Sequence, residues 1–113
     1  LDNAATTAVD SKVLQSMLPF FSKNFGNPSS LYQSALISKQ AIDTSRKIIA
    51  KFLGTTTDTI FFTSGGTESI NTAILGVIRA NEDKGKHIIT TEIEHDATLL
   101  SLQYAEKKGF DVT

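Results

Sequence analysis

TIFFTSGGTESINTAI, residues 59–74, decides how the rest of the chain is read. It opens apolar and β-branched and breaks at Ser64-Gly65-Gly66-Thr67. It then resumes with Ile70, Ile74, Val77 and Ile78 at the i, i+4, i+7, i+8 spacing of a helix. "TIFFT" has the length and composition of a strand covered on both faces, and the periodic tract after the glycines predicts a helix. A strand that turns straight into a helix is half of a strand–helix–strand unit.

Downstream, "DKGK" is a turn, "HIITT" a second buried strand and "EIEH" a loop. Leu99, Leu100, Leu102 and Ala105 then mark a helix closed by Gly109, and "FDVT" opens a third strand. The order β-α-β-α-β predicts an α/β fold, with a parallel sheet and helices on both faces. Upstream, Asp10 is a plausible N-cap for a helix over residues 11–22, disturbed near its end by Pro19. "KNFGNPSS" breaks the rhythm: Gly26 frees the backbone, Asn27 precedes a proline, and Ser29 or Ser30 can cap the next helix. From Leu31 a long helix shows Ala35, Ile42, Ile49, Phe52 and Leu53 on one face. Lys39, Asp43, Arg46, Lys47 and Lys51 take its wet side, and Gly54 stops it. The expected division is residues 1–54, a lead-in with helices, and residues 55–113, the start of a cofactor-binding α/β domain.

Composition narrows the classes. At 113 residues and 40% hydrophobic, the chain suits one modest domain with a packed core. Eleven basic and twelve acidic residues, scattered along the chain, give a net charge of −1, which argues against nucleic acid or an anionic membrane as partner. The absence of cysteine excludes disulfides and a thiolate nucleophile within these residues, and it fits a reducing compartment. No apolar run approaches the roughly 20 residues of a membrane span, and no charged-then-apolar leader opens the chain. A cytoplasmic setting is the expectation. A start without Met and a stop just after "GFDVT" read as a piece of a longer polypeptide.

The glycine turn is the first candidate site. A helix start has unpaired N–H groups and about half a positive charge, so it suits a phosphate. Gly65 and Gly66 let an anion approach the amides of Gly66 and Thr67, with the Thr67 and Ser64 hydroxyls as further donors. Pattern alone favours an ordinary turn and helix cap over a phosphate site. The "GK[ST]" ending of a Walker loop and the GxGxxG fingerprint are both absent. His95 follows the second strand, which puts it at the same sheet edge as the turn if the sheet is parallel. Glu92, Glu94 and Asp96 flank it. No metal-site spacing occurs, and His87 belongs at the opposite end of its strand.

Four stretches taken together are more specific. "LDNAATT", "FGNPSS", "FTSGGTESIN" and "HIITTEIEHDA", in this order and spacing, resemble the N-terminal part of cysteine desulfurases, over essentially the whole chain. These are pyridoxal 5'-phosphate enzymes of the class V aminotransferase group, and the branch supplying iron–sulfur cluster assembly is the nearest in pattern. The resemblance implies a fold type I homodimer that converts L-cysteine to L-alanine and an enzyme-bound persulfide, passed to a sulfur-acceptor or scaffold protein. It implies that Gly66, Thr67 and the Thr67 hydroxyl hold the cofactor phosphate. His95 would stack on the pyridine ring and assist proton transfer, Glu68 and Asn71 would support the cradle, and Ala5 and Thr6 would line the substrate side. The family commonly has a His shortly after "NPSS" and a Gly three residues on; here those places hold Tyr32 and Ala35. Its Schiff-base lysine, its pyridine-pairing carboxylate and its persulfide cysteine lie beyond the matched region, so these residues alone are expected to be inactive. The competing readings are another class V enzyme (an aminotransferase or selenocysteine lyase), a non-catalytic phosphate-binding domain, and a truncated piece that does not fold stably.

Overall fold

The computed structural model describes residues 2–113, which form two compact units divided between Phe61 and Phe62. Each is described by itself.

In the first unit, α1 spans Ser11–Ser22. Asp10 caps it as expected, its Oδ1 accepting from the amides of Lys12 (2.8 Å) and Val13 (3.4 Å). Pro19 lies inside the helix, and the amides of Lys23 and Asn24 close its end on the Pro19 carbonyl. α2 spans Gln33–Leu53 and ends at Gly54, whose φ of 67° is the left-handed conformation a side chain resists. A 3-10 turn, Thr57–Thr59, comes next.

The expected serine cap of α2 does not form. Its N-cap is Tyr32, without a side-chain cap bond. The serines are spent one turn earlier: Asn27 Oδ1 accepts from the Ser29 amide, and the Asn27 carbonyl from the Ser30 amide. The buried positions of α2 are small, namely Ala35, Ser38 and Ala50, while Phe52 and Leu53 on the expected apolar face stand exposed. Arg46 is not a purely wet residue either. Its Nε donates to the Ile60 carbonyl (3.2 Å) and its Nη1 to Asp43 Oδ1 (3.2 Å).

The second unit contains α3 (Gly66–Asn81), β1 (His87–Ile88), α4 (Asp96–Glu106) and β2 (Asp111–Val112). β1 and β2 pair in parallel, His87 opposite Asp111 and Ile88 opposite Val112, as the second and third expected strands require. Ladder bonds run from Asp111 N to Lys86 O, Thr113 N to Ile88 O and Thr90 N to Thr113 O. α4 is the crossover and packs on β2 and α3. Gly109, at φ 87°, makes the turn back into β2. Leu102, Ala97, Ala105 and Phe110 form the small core.

The first expected strand, "TIFFT", is absent. Thr59 ends the 3-10 turn, residues 60–63 take no regular structure, and Phe61 and Phe62 are 81% and 50% exposed. Apolar, β-branched composition expresses a preference for burial, but a strand exists only where a neighbour supplies a ladder. Among the described residues the only ladder is β1–β2. No helix is long and apolar enough to cross a membrane among the described residues.

Candidate functional site

The chain enters α3 through Gly65 in a fully extended conformation (φ 166°, ψ −177°), with no side-chain cap. The first amides of an α-helix have no intrahelical partner. Here the N–H groups of Gly66 and Thr67 find no acceptor among the described residues, and Thr67 Oγ1 has no partner either. A Cβ placed at Gly65 or Gly66 would meet nothing within 4 Å, so the space before these amides is open.

Side chains pin the turn from behind. Thr63 Oγ1 bonds the Gly65 carbonyl (3.1 Å) and Ser69 Oγ (2.6 Å). Asn71 Nδ2 donates to the Thr67 carbonyl at 2.8 Å. Ser64, expected as a further phosphate donor, is committed elsewhere: its amide and hydroxyl both donate to Glu68 Oε2, each at 2.6 Å. The Ser64 hydroxyl, and then its amide, hold the exposed Glu68 carboxyl below its usual range. Two open amides, one free hydroxyl and a positive helix end form a donor set suited to a phosphate.

His95 is the N-cap of α4. Its Nδ1 accepts from the Ala97 amide (3.1 Å), and its carbonyl accepts from Thr98 and Leu99. Because an amide can only donate, Nδ1 keeps its lone pair and the proton of the neutral ring sits on Nε2. The flanking Glu94 is turned to Thr91 Oγ1.

α3 and α4 run side by side in the same sense. Asn71 meets Ser101, and further along Leu75 and Arg79 share a cavity of about 230 Å³ with Tyr104, Ala105 and Lys108. Gly66 lies five residues before Asn71, and Asp96 five before Ser101. At a rise of 1.5 Å per residue both helices start about 7.5 Å from that bond, so their starts are level. Gly66, Thr67 and His95 thus come to one end of the second unit. Ala5 and Thr6 belong to the first unit, where the Asp2 carbonyl accepts from both their amides and Asp2 Oδ1 from Ala5. His87, set aside from the sequence, lies at the start of β1 and bonds Thr113 through Nε2 (2.8 Å). The residue that sequence reasoning missed is Ser101, 2% exposed; its one signal is a small polar residue within the apolar run Leu99–Leu102.

The chain is similar to known proteins in both sequence and fold. The family model described as aminotransferase class-V matches residues 1–113. The chain is 53% identical to cysteine desulfurase IscS of Methanosarcina thermophila, over all of this chain and 28% of that protein. It is 48% identical to putative cysteine desulfurase IscS 1 of Bacillus subtilis, over all of this chain and 30% of that protein. Among solved structures, a NifS-like protein superposes with a TM-score of 0.91 at 40% identity, covering 98% of this chain and 30% of its own. SspA in complex with cysteine superposes with a TM-score of 0.88 at 42% identity, covering 97% and 32%. The chain therefore spans less than a third of the length of these relatives.

Proposed function

The chain belongs to the aminotransferase class-V family, and we propose that it is the N-terminal part of a pyridoxal-phosphate-dependent cysteine desulfurase. The observation that carries this reading is the open start of α3. Two amides without an acceptor and a free Thr67 hydroxyl stand level with a histidine whose ring is held in one tautomer.

In this reading Gly66 N, Thr67 N and Thr67 Oγ1 hold the cofactor phosphate, and Glu68 keeps Ser64 turned away from it. His95 would face the pyridine ring of the bound cofactor, and its Nε2 is the atom at which it would hold or pass a proton. When bound, the cofactor of a fold type I enzyme supplies an electron sink for the substrate's α-carbon. The Nδ1 cap fixes the direction in which Nε2 points. The substrate is L-cysteine, a ligand also named for the neighbour SspA. The products are L-alanine and a persulfide on a cysteine outside these residues, which contain none. A homodimer, a sulfur acceptor or iron–sulfur scaffold protein and a cytoplasmic setting complete the proposal.

The test uses the full-length protein with pyridoxal phosphate and L-cysteine. Stoichiometric alanine and sulfide are expected in the presence of a reductant. Alanine with selenide from selenocysteine but none from cysteine would move the assignment to a lyase. A folded protein that takes up no cofactor would overturn it.

A further inference from the structure

Ser101 has one hydroxyl proton and two acceptors: the Ala97 carbonyl at 2.7 Å and Asn71 Oδ1 at 2.9 Å. The orientation of the Asn71 amide is set by its other contact. The Thr67 carbonyl can only accept, so Nδ2 faces it and Oδ1 is left to face Ser101, which must donate. Its single proton is shared in a three-centre bond between Asn71 Oδ1 and the Ala97 carbonyl, and a path runs from the Thr67 carbonyl through Asn71 and Ser101 to the Ala97 carbonyl. The amide of that same Ala97 is the donor that His95 Nδ1 accepts. The two ends of the path are the candidate phosphate cradle and the candidate ring-facing histidine.

No other side-chain hydrogen bond joins α3 to α4 among the described residues, and Ser101 is buried where no water competes for its proton. Apolar contacts alone would let the helices slide, because dispersion is nearly indifferent to a shift of a few tenths of an ångström. A directional bond is not. We infer that Ser101 is a positioning residue: through Asn71 it fixes the register of α4 on α3, and with it the place of His95 relative to the Gly66–Thr67 cradle. This rests on the cofactor reading above.

The experiment measures pyridoxal-phosphate affinity and the visible circular dichroism of the bound cofactor in the full-length protein and in Ser101→Ala, Ser101→Thr and Asn71→Ala. Dichroism reports the tilt of the ring, which a merely structural role would leave unchanged. Ser101→Ala should lose about threefold to tenfold in affinity, the range of one hydrogen bond, and change the dichroic band. Ser101→Thr, which keeps the hydroxyl, should restore both. Should Ser101→Ala fail to fold, Asn71→Ala cuts the same path from outside the core and must show the same two losses. A Ser101→Ala protein that melts earlier but keeps wild-type affinity and dichroism overturns the inference while leaving the cofactor reading intact. A wild-type protein that binds no cofactor overturns both.

Discussion

Gly26→Ala tests how the first unit is packed. A Cβ at Gly26 would sit 2.5 Å from the Ser34 carbonyl oxygen, 2.6 Å from its carbon and 2.7 Å from the Ala35 nitrogen. Ordinary contact begins near 3.4 Å, so about 0.9 Å of movement is needed. The obstacle is the backbone of the first turn of α2, where no rotamer change can give relief. Overpacking of this kind costs about 1–3 kcal/mol, and a backbone obstacle puts Gly26→Ala at the upper end. Gly76 is the internal control. It lies within α3, a Cβ there meets nothing within 4 Å, and Ala is the better helix former by about 1 kcal/mol. The same substitution should therefore lower stability at position 26 and raise it at position 76, read as midpoint shifts of opposite sign in urea unfolding. A Gly26→Ala protein as stable as wild type would refute the close approach of the two segments.

His95 combines a cap and a ring, and His95→Asn separates them. Asn caps helices well, so stability should stay within a few tenths of a kcal/mol while turnover falls; His95→Ala should also lose about 1 kcal/mol of stability. Equal stability losses in both variants would argue against the Nδ1 cap. Thr67→Val keeps the shape of the cradle but removes its free hydroxyl. A hydrogen bond to a charged group contributes about 1.5–3 kcal/mol, so cofactor affinity should fall tenfold or more; unchanged binding by calorimetric titration would remove the hydroxyl from the site. Glu68 has its folded-state pKa lowered by Ser64, so the stability it contributes is present above the ordinary carboxyl value of 4.5 and is lost as pH falls through the lowered one. In Glu68→Gln that acid-side loss should shrink, measured as the melting temperature stepped down through this range; an unaltered acid limb would show that the pair plays no part.

The features legible in the sequence are those that short-range chemistry controls. Asp10 capping α1, Gly54 ending α2 in the left-handed region and the helix after Gly65-Gly66 all depend on residues within a turn of one another. The parallel pairing of β1 with β2 came from the alternation of elements. The illegible parts are tertiary. "TIFFT" looked like a strand because composition cannot reveal whether a ladder partner is present. Gly26 reads as a residue kept for backbone freedom, whereas its φ lies outside the left-handed region and the need is proximity to Ser34. Ser101 carried no motif, because its meaning lies in Asn71, thirty residues away.

The level, parallel setting of α3 and α4 also sorts charge in a way the linear sequence conceals. Along the chain acids and bases look scattered. In the second unit Glu68, Glu94 and Asp96 stand where the two helices begin. Arg79, Lys86 and Lys108 gather with Glu82 around the cavity near their far ends, the two lysine ammonium groups poised over aromatic rings, Lys86 on Phe110 and Lys108 on Tyr104. Two aligned helices present about one full positive charge at one end and its opposite at the other. Glu82, Asp83 and Glu106 also lie at the far ends, so only the excess of base over acid there, and of acid at the helix starts, opposes that field. Aligned dipoles repel, so this sorting lets the two helices lie parallel at reduced electrostatic cost. It also makes the bare amides of Gly66 and Thr67 a local attraction for an anion, felt at contact distance and not from afar.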